Sequence, residues 1–221
     1  MPTSTVEDYL KQIYQAQQTS SGALIPTGQV AAALGVAPGT ATAMVKTLAD
    51  SGLVEYEPYS GVKLTAAGEK LATHVLRRHR LLELFLVEVM GMDWSEVHGE
   101  AELLEHAVTE RLLERIDDML GSPEVDPHGD PIPTAGGEVA STDHATLTTC
   151  PVGEAMVLVR ITDQGSDFLR LVERVGLVPG VAVRVEARDE QADTVAIRPQ
   201  GGEPVSLGFG AAAKIQVAPA G

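Results

Sequence analysis

The sequence predicts a mainly helical chain with a small β domain at its C-terminal end. Apolar residues recur at helical spacing, with capping residues beside the runs, up to about residue 120. A stretch rich in Pro, Gly, Ser and Thr then interrupts this pattern. Beyond it, short apolar or alternating runs lie between Gly-rich turns, which is typical of a small barrel. We therefore predict an N-terminal winged helix-turn-helix, a helical middle domain and a C-terminal SH3-like β barrel.

The distribution of charge limits which part of the chain can meet nucleic acid. The 221 residues carry a net charge of −15. Residues 1 to 80 hold seven basic and six acidic side chains, whereas the remainder holds nine basic and 25 acidic ones. Because an acidic surface repels phosphate, only the N-terminal part suits DNA or RNA.

The sequence also indicates the compartment. Its only cysteine is Cys150, which suits a reducing environment and excludes an internal disulfide. The N-terminal residues lack the pattern of a signal peptide, and no apolar run approaches the length of a membrane span. We therefore expect a soluble, cytoplasmic protein without membrane contact.

Residues 1 to 72 are predicted to form the winged helix. Ser4 and Glu7 have the spacing of a capping box at the start of the first helix. Thr27 is expected to cap a second, short helix, and Pro38 opens a third helix after a tight turn that contains glycine. Two short strands around the turn PYSG predict a hairpin, which would be the wing.

The third helix of this winged helix is predicted to enter the major groove of double-stranded DNA. Few of its exposed side chains can form paired hydrogen bonds with a base, so we expect weak direct readout. Affinity is then expected from lysines and backbone amides on phosphates. The alternative is a winged helix used for protein contacts. The predicted DNA-binding residues are Thr27, Ala37, Pro38, Gly39, Thr40, Thr42, Lys46 and Lys63.

Residues 73 to 134 are predicted to form a helical domain. One helix is expected from residue 66 to about residue 90, and a second, long one from Trp94 to Gly121 with Ser95 as its N-cap. Both carry broad apolar faces and are joined by a short connection, which favours burial against a second copy of the chain. We therefore expect a homodimer.

A cluster of polar residues shares one strip of the second predicted helix. At about 100° per residue, His98, Glu102, Glu105 and His106 fall close together along that helix. Two imidazoles and two carboxylates on one strip are typical of a metal site. A solvated acidic helix face is the alternative.

Two further groups of candidate ligands lie outside this strip. His79 and Glu83 are four residues apart on the preceding helix and face the same way. An ordinary histidine on a helix face is the alternative for His79. Asp8 lies in the first turn of the first helix, where a carboxylate can equally complement the helix dipole. Local sequence leaves these alternatives open.

The C-terminal half is predicted as a linker, residues 135 to 150, and an SH3-like domain, residues 151 to 221. The linker lies in a Pro- and Gly-rich stretch that begins at Ser122 and includes His128 and Asp130. Because Pro and Gly flank these two residues, we do not expect them to bind metal in an ordered way. Five short strands with one intervening helix are expected beyond the linker.

Motifs for catalysis are missing from the sequence. No Gly-rich phosphate loop precedes a helix, and no serine lies in a nucleophile elbow. Glu102 and His106 lack the second histidine of the HExxH metalloprotease pattern. We therefore predict that the protein is not an enzyme.

The order of motifs resembles that of a known family. EDYLKQIY is followed by a winged helix, then by RHRLLE, VHGEAELLEH and SPEVDPHGDPIP. This order resembles the diphtheria toxin repressor family of metal-dependent transcriptional regulators, in its three-domain form with an SH3-like (FeoA-like) domain. By that resemblance, the primary metal site consists of Asp8, Glu102, Glu105 and His106. An ancillary site consists of His79, Glu83 and His98.

The resemblance also bears on the metal. Asp8 and Glu102 are carboxylates as in the manganese-type members, whereas iron-type members carry methionine and cysteine there. Hard oxygen ligands suit Mn(II), while soft sulfur ligands favour later metals. Mn(II) is the expected metal, and Fe(II) is the alternative because the ancillary trio resembles the iron-type pattern. In three-domain members the SH3-like domain donates ligands to the ancillary site, and Asp163 and Gln164 lie in the comparable turn.

The resemblance implies a function in gene regulation. The protein is expected to be a repressor that binds double-stranded operator DNA as a homodimer when loaded with Mn(II). It would control genes of manganese or iron homeostasis. The alternatives are an Fe(II)-dependent regulator of the same family and a winged-helix regulator with a non-metal effector.

Overall fold

The computed structural model describes residues 3–20, 23–141 and 143–220. The chain divides into two compact units, Met1–His79 with Pro133–Val139 and Arg80–Ile132 with Ala140–Gly221. The predicted fold class is confirmed, since helices make up the N-terminal and middle parts and an antiparallel sheet makes up the C-terminal part. Within the described ranges, no helix has the length and apolarity needed to span a bilayer.

The first unit contains the winged helix and the beginning of the long helix that follows it. Its elements are α1 (Ser4–Thr19), α2 (Thr27–Ala33), α3 (Pro38–Asp50), β1 (Val54–Glu57), β2 (Gly61–Leu64) and the first part of α4 (Ala66–Glu88). The strands β1 and β2 pair antiparallel, with Val54 opposite Leu64. Helices and hairpin share one apolar core, which includes Leu10, Ile13, Val45, Leu48 and Val62.

Two of the predicted helix caps are wrong by one residue. Thr3, and not Ser4, is the N-cap of α1, and its side chain accepts a hydrogen bond from the backbone N–H of Val6. Pro26 precedes α2, so Thr27 is the first residue of that helix and makes no capping bond. A cap needs an extended backbone, as Thr3 has, and several Ser and Thr residues in a row leave that choice open in the sequence.

The single long helix predicted from Trp94 to Gly121 is wrong. The structure has two helices there, α5 (Val97–Leu104) and α6 (Glu110–Leu120). Thr109 lies between them with an extended backbone, and its hydroxyl accepts a hydrogen bond from the Leu112 N–H. Thr favours such capping positions over helix interiors, which explains why a new helix begins here.

The predicted N-cap Ser95 is also wrong. The helix α5 begins two residues later, at Val97, and has no side-chain cap. The N–H and hydroxyl of Ser95 instead donate to a carboxylate oxygen of Asp93, at 2.8 and 2.6 Å. This local turn satisfies Ser95 without a helix.

The barrel is a six-stranded antiparallel sheet in the order β3-β8-β4-β5-β6-β7. Its strands are β3 (Ala145–Thr146), β4 (Met156–Ile161), β5 (Ala182–Asp189), β6 (Thr194–Pro199), β7 (Val205–Leu207) and β8 (Ile215–Pro219). Two helices, α7 (Ser166–Arg174) and α8 (Phe209–Ala212), pack with them. The five predicted strands and the intervening helix are present. The strand β3 is additional and lies within the predicted linker.

The Pro- and Gly-rich segment before the barrel is folded against its neighbours. Asp126, His128, Gly129 and Asp130 are buried. The His128 carbonyl accepts a hydrogen bond from the Ile161 N–H of β4 at 2.9 Å. At Gly129, which has φ +87°, an added Cβ would lie 1.9 Å from the Val159 carbonyl oxygen. Only glycine permits this approach, so the segment is held tightly rather than loosely.

Candidate metal centre

Glu83 lies at the centre of a buried polar cluster in the second unit. It projects from α4 and its side chain is fully buried. One of its carboxylate oxygens is 3.1 Å from His98 Nδ1, and the other is 3.8 Å from His128 Nδ1. Glu83, Asp126 and His128 each offer a ligand atom within 4.8 Å of the others. These three buried residues can hold a metal ion.

The orientation of His128 supports this assignment. Its Nε2 lies 2.9 Å from the Trp94 carbonyl oxygen, which can only accept a hydrogen bond. Nε2 therefore carries the proton, and a neutral ring has its lone pair on Nδ1, which faces Glu83 and Asp126 at 3.8 and 3.9 Å. Within the described part of the chain, Nδ1 has no hydrogen-bond partner. A carbonyl that orients the opposite ring nitrogen is typical of histidine ligands to metals.

The side chain of Asp126 holds the loop that carries His128 in place. One carboxylate oxygen accepts the N–H groups of His128 and Asp130 at 2.8 and 2.9 Å. The other oxygen is 3.8 Å from Nε of Arg80. Burial holds the pKa of Asp126 well above its ordinary value, and the nearby carboxylates Asp130 and Glu83 act in the same direction. Arg80 opposes this only in part. A bound cation would relieve the accumulated negative charge.

Asp130, next in this loop, connects the cluster to the barrel. One of its carboxylate oxygens pairs with Arg80 at 3.3 Å and with Arg160 of β4. The other oxygen accepts a hydrogen bond from the Gln164 amide at 2.7 Å. Both arginines neutralise Asp130, so this carboxylate serves as a structural link rather than as a free ligand.

The other residues predicted as ligands on the two helices lie on α4 and α5 and in the turn after α5. His79 is buried on α4, one turn before Glu83. On α5, His98 is partly exposed and bonded to Glu83, and Glu102 is exposed with a carboxylate oxygen 3.7 Å from His98 Nε2. His98 and Glu102 thus lie one turn apart on the same helix, as the sequence predicted.

Glu105 and His106 do not lie on a continuous helix, because α5 ends at Leu104. Glu105 is fully buried, and one of its carboxylate oxygens is 3.5 Å from His106 Nε2. The turn between α5 and α6 therefore presents both side chains together. Asp8 is a partly buried residue of α1, in the first unit.

The two candidate ligands from the barrel are engaged with protein groups. Asp163 pairs with Lys214 Nζ at 2.7 Å and accepts the Gly165 N–H at 2.9 Å. The hydrogen bond from Lys214, followed by that from Gly165, lowers the pKa of Asp163. Gln164 is bonded to Asp130. Gln164 thus supports the loop of Asp126 and His128, whereas Asp163 is held by groups of the barrel.

Asp126 was not among the predicted ligands, and His128 was not expected to be held in an ordered position. Pro and Gly were expected to prevent ordered ligands there, but they form a tight turn that buries both side chains. The spacing Asp-x-His, followed by Gly and Asp, was the available signal. It was insufficient because the third member, Glu83, is distant in the chain.

An apolar groove of about 390 Å³ lies between α4, α6 and the turn that precedes α6. Its walls include Phe85, Leu104, Leu112, Ile116 and Met119. Leu112 and Met119 are 53% and 66% exposed, which is unusual for such large apolar side chains in neighbouring positions. This surface suits burial against another protein surface.

The predicted DNA-binding residues lie on α2, α3 and the wing. Ala37, Pro38, Gly39 and Thr40 are exposed at the start of α3, Lys46 is exposed on that helix, and Thr27 begins α2. Two of the predicted contacts have intramolecular partners. The Thr42 hydroxyl donates to the Pro38 carbonyl at 2.9 Å, and Lys63 pairs with Glu55 at 2.8 Å.

Comparison with known families covers almost the whole chain. Residues 1–62 match the N-terminal DNA binding domain of iron dependent repressors. Residues 65–134 match the metal binding and dimerisation domain of the same repressors, and residues 145–219 match the FeoA domain.

Individual relatives match between 58% and 96% of this chain. The iron-dependent repressor IdeR of Mycobacterium leprae is 33% identical over 215 residues, which are 92% of this chain and 92% of that protein. The transcriptional regulator MntR of Lysinibacillus sphaericus is 36% identical over 127 residues, which are 58% of this chain and 89% of the regulator. A solved structure of a manganese-dependent transcriptional repressor in complex with manganese is 40% identical and has a TM-score of 0.88. The match covers 96% of this chain and 99% of the chain in that structure.

Proposed function

We propose that this chain, which belongs to the iron-dependent repressor family of metal-dependent transcriptional repressors, binds operator DNA as a homodimer when it is loaded with Mn(II). It acts in the cytoplasm by binding and not by catalysis. The genes under its control would be those of manganese and iron homeostasis.

The buried cluster of Glu83, Asp126 and His128 is the observation that carries the proposal. An imidazole nitrogen faces two carboxylates, and its opposite ring nitrogen is held by a carbonyl. These donors include no thiolate, and oxygen-rich sets suit Mn(II). Fe(II) is the second candidate, since nitrogen and oxygen donors also bind it and curated relatives are named as iron-dependent repressors.

A second metal position is proposed from the family resemblance. There Asp8 would join Glu102, Glu105 and His106, so that an ion connects the winged helix to the helical domain. The ion would supply positive charge among these carboxylates, which otherwise repel one another. A coupling of about 1–3 kcal/mol between metal and operator is ordinary for such regulation.

The homodimer is proposed to form through the apolar groove between α4 and α6. Exposed Leu112 and Met119 lie along it, and a second copy can cover them with the same surface. A two-fold dimer presents two α3 helices to half-sites about one turn of DNA, roughly 34 Å, apart or a multiple of it.

Fluorescence anisotropy on the DNA upstream of the protein's own gene tests this proposal. The chelated protein is titrated with Mn(II) and, without oxygen, with Fe(II). We expect binding only with metal, at lower concentrations of Mn(II) than of Fe(II). The matched variants are His128→Ala, which removes a proposed ligand, and His144→Ala, which removes a histidine outside both proposed sites.

Other outcomes would indicate a different effector, a different metal or a different metal site. Equal binding with and without metal would indicate a winged-helix regulator with another effector. Lower concentrations of Fe(II) than of Mn(II) would identify iron as the regulating ion. A weakened metal response in His144→Ala but not in His128→Ala would contradict the assignment of the buried cluster.

A further inference from the structure

The tip of the wing carries a tyrosine that contributes nothing to the packing of its own unit. Tyr59 is fully exposed, and its two neighbours Pro58 and Ser60 are exposed as well. Its φ is +66°, a left-handed conformation that bulky residues adopt rarely. The turn is closed by a hydrogen bond from the Ser60 N–H to the Glu57 carbonyl at 3.1 Å. An aromatic side chain is therefore held out into solvent at a conformational cost.

The base of the wing is rigid, so the position of this tyrosine is well defined. Val62 exchanges two backbone hydrogen bonds with Ile25, of 2.8 and 2.9 Å. A Cβ on Gly61 would lie 2.6 Å from the Ile25 carbonyl oxygen, which shows how closely the two segments approach. Val54 of β1 lies in the same apolar core as Val45 of α3. The wing is thus fixed beside the helix predicted to enter the major groove.

The rest of this surface offers few groups for DNA. The hydroxyls of Thr42 and Thr47 donate to carbonyls within α3, at 2.9 and 3.2 Å. On the wing, Lys63 pairs with Glu55, and Glu57 adds a further negative charge. The wing therefore has little net attraction for phosphate, and a contact from its tip must be largely non-ionic.

We infer that Tyr59 is a DNA-contacting residue of the wing. Its ring packs against a deoxyribose and its hydroxyl donates to a phosphate oxygen beside the half-site read by α3, contacts that tyrosine is suited to make. The inference rests on the proposed function, because it needs the metal-loaded protein on its operator. Backbone strain at a position without a packing role is typical of a functional site.

The test uses full-length protein loaded with Mn(II), and measures operator affinity by anisotropy over a series of salt concentrations. Tyr59→Gly removes the ring and relieves the positive φ. We expect roughly ten-fold weaker binding for this variant, with an unchanged salt dependence and a thermal midpoint no lower than that of the wild type. Tyr59→Phe keeps the ring and removes only the hydroxyl, so its operator affinity should fall by about two- to five-fold.

Two further variants serve as controls. Ser60→Gly places an added glycine in the same turn while keeping the tyrosine, and should bind like the wild type. Lys46→Met removes a charge, and should lower the slope of affinity against salt by about one unit, as Tyr59→Gly should not.

The outcomes separate this inference from the function on which it rests. Wild-type affinity in Tyr59→Gly, or an equal loss in Ser60→Gly, would overturn the role of Tyr59 while leaving the repressor intact. Failure of the wild type to bind its operator with Mn(II) would overturn both. A ten-fold loss confined to Tyr59→Gly, with a partial loss in Tyr59→Phe, would support the contact.

Discussion

The barrel and the helical domain before it bury very different groups. Within residues 143–220, which the structure describes, every fully buried side chain is apolar or the thiol of Cys150. In residues 80–132, by contrast, four carboxylates are buried against one arginine, Arg80, besides His128 and Ser95. Apolar burial stabilises the barrel without any added partner. The helical domain buries several carboxylates, and we expect a bound cation to stabilise it.

The largest expected effect is a cavity in the barrel. Leu158 of β4 is fully buried, and Leu158→Ala should lower the free energy of unfolding by about 2–5 kcal/mol. Chemical denaturation with and without Mn(II) measures this. Val152→Ala, at a position 51% exposed, is the control and should change stability by less than about 0.5 kcal/mol. A loss no larger than that of Val152→Ala would contradict the role of apolar burial in the stability of the barrel.

The next effect concerns the metal. Mn(II) at a hundred times its dissociation constant should stabilise the cluster by about 2.7 kcal/mol. His128→Ala removes the proposed nitrogen ligand, so thermal unfolding of this variant should show a smaller shift with Mn(II) than that of the wild type. His144→Ala should keep the full shift. Equal shifts in all three proteins would place the ion elsewhere.

A smaller effect is expected from the charge of Asp126. Because its folded pKa is raised, the folded state holds the proton more tightly than the unfolded chain. In metal-free protein its contribution therefore becomes increasingly unfavourable as pH rises from the ordinary carboxyl range through the raised pKa. Asp126→Asn keeps an oxygen acceptor for the His128 and Asp130 N–H groups and removes the charge.

Denaturation of metal-free protein over that pH range tests the point. At neutral pH, Asp126→Asn should be more stable than the wild type, on the order of 1–3 kcal/mol, and Mn(II) should stabilise it less. The difference from the wild type should shrink as pH falls. A variant that is less stable at neutral pH would show that the negative charge of Asp126 is already compensated within the protein.

The smallest effect on the folding of a single chain is expected at the groove between α4 and α6. Met119 is 66% exposed, so Met119→Lys should alter the stability of the monomer by less than about 0.5 kcal/mol. It should nevertheless weaken dimerisation, because it places a charge in an apolar interface, and operator affinity should fall with it. Sedimentation velocity measures the change. Glu114→Lys, at an exposed position of the same helix, is the control, and dimers that persist in Met119→Lys would exclude this groove as the interface.

Much of the fold could be predicted because its signals are local. Helical spacing, the hairpin turn and the alternation of short strands each depend on neighbouring residues. The break at Thr109 could not be predicted, because the apolar spacing of the helix continues through residues 105 to 109. Only the hydrogen bond that the Thr109 hydroxyl accepts from the Leu112 N–H shows that a new helix begins there.

The sequence by itself determined the winged helix, the barrel strands and a set of candidate ligands with nitrogen and oxygen donors. Tertiary structure alone decided that Glu83 meets Asp126 and His128, which lie more than 40 positions away in the chain. It also decided that Asp163 pairs with Lys214. The physical reason is that helical and strand patterns act over a few residues, whereas a ligand set depends on long-range packing, which positions the loop of Asp126 against α4 and β4.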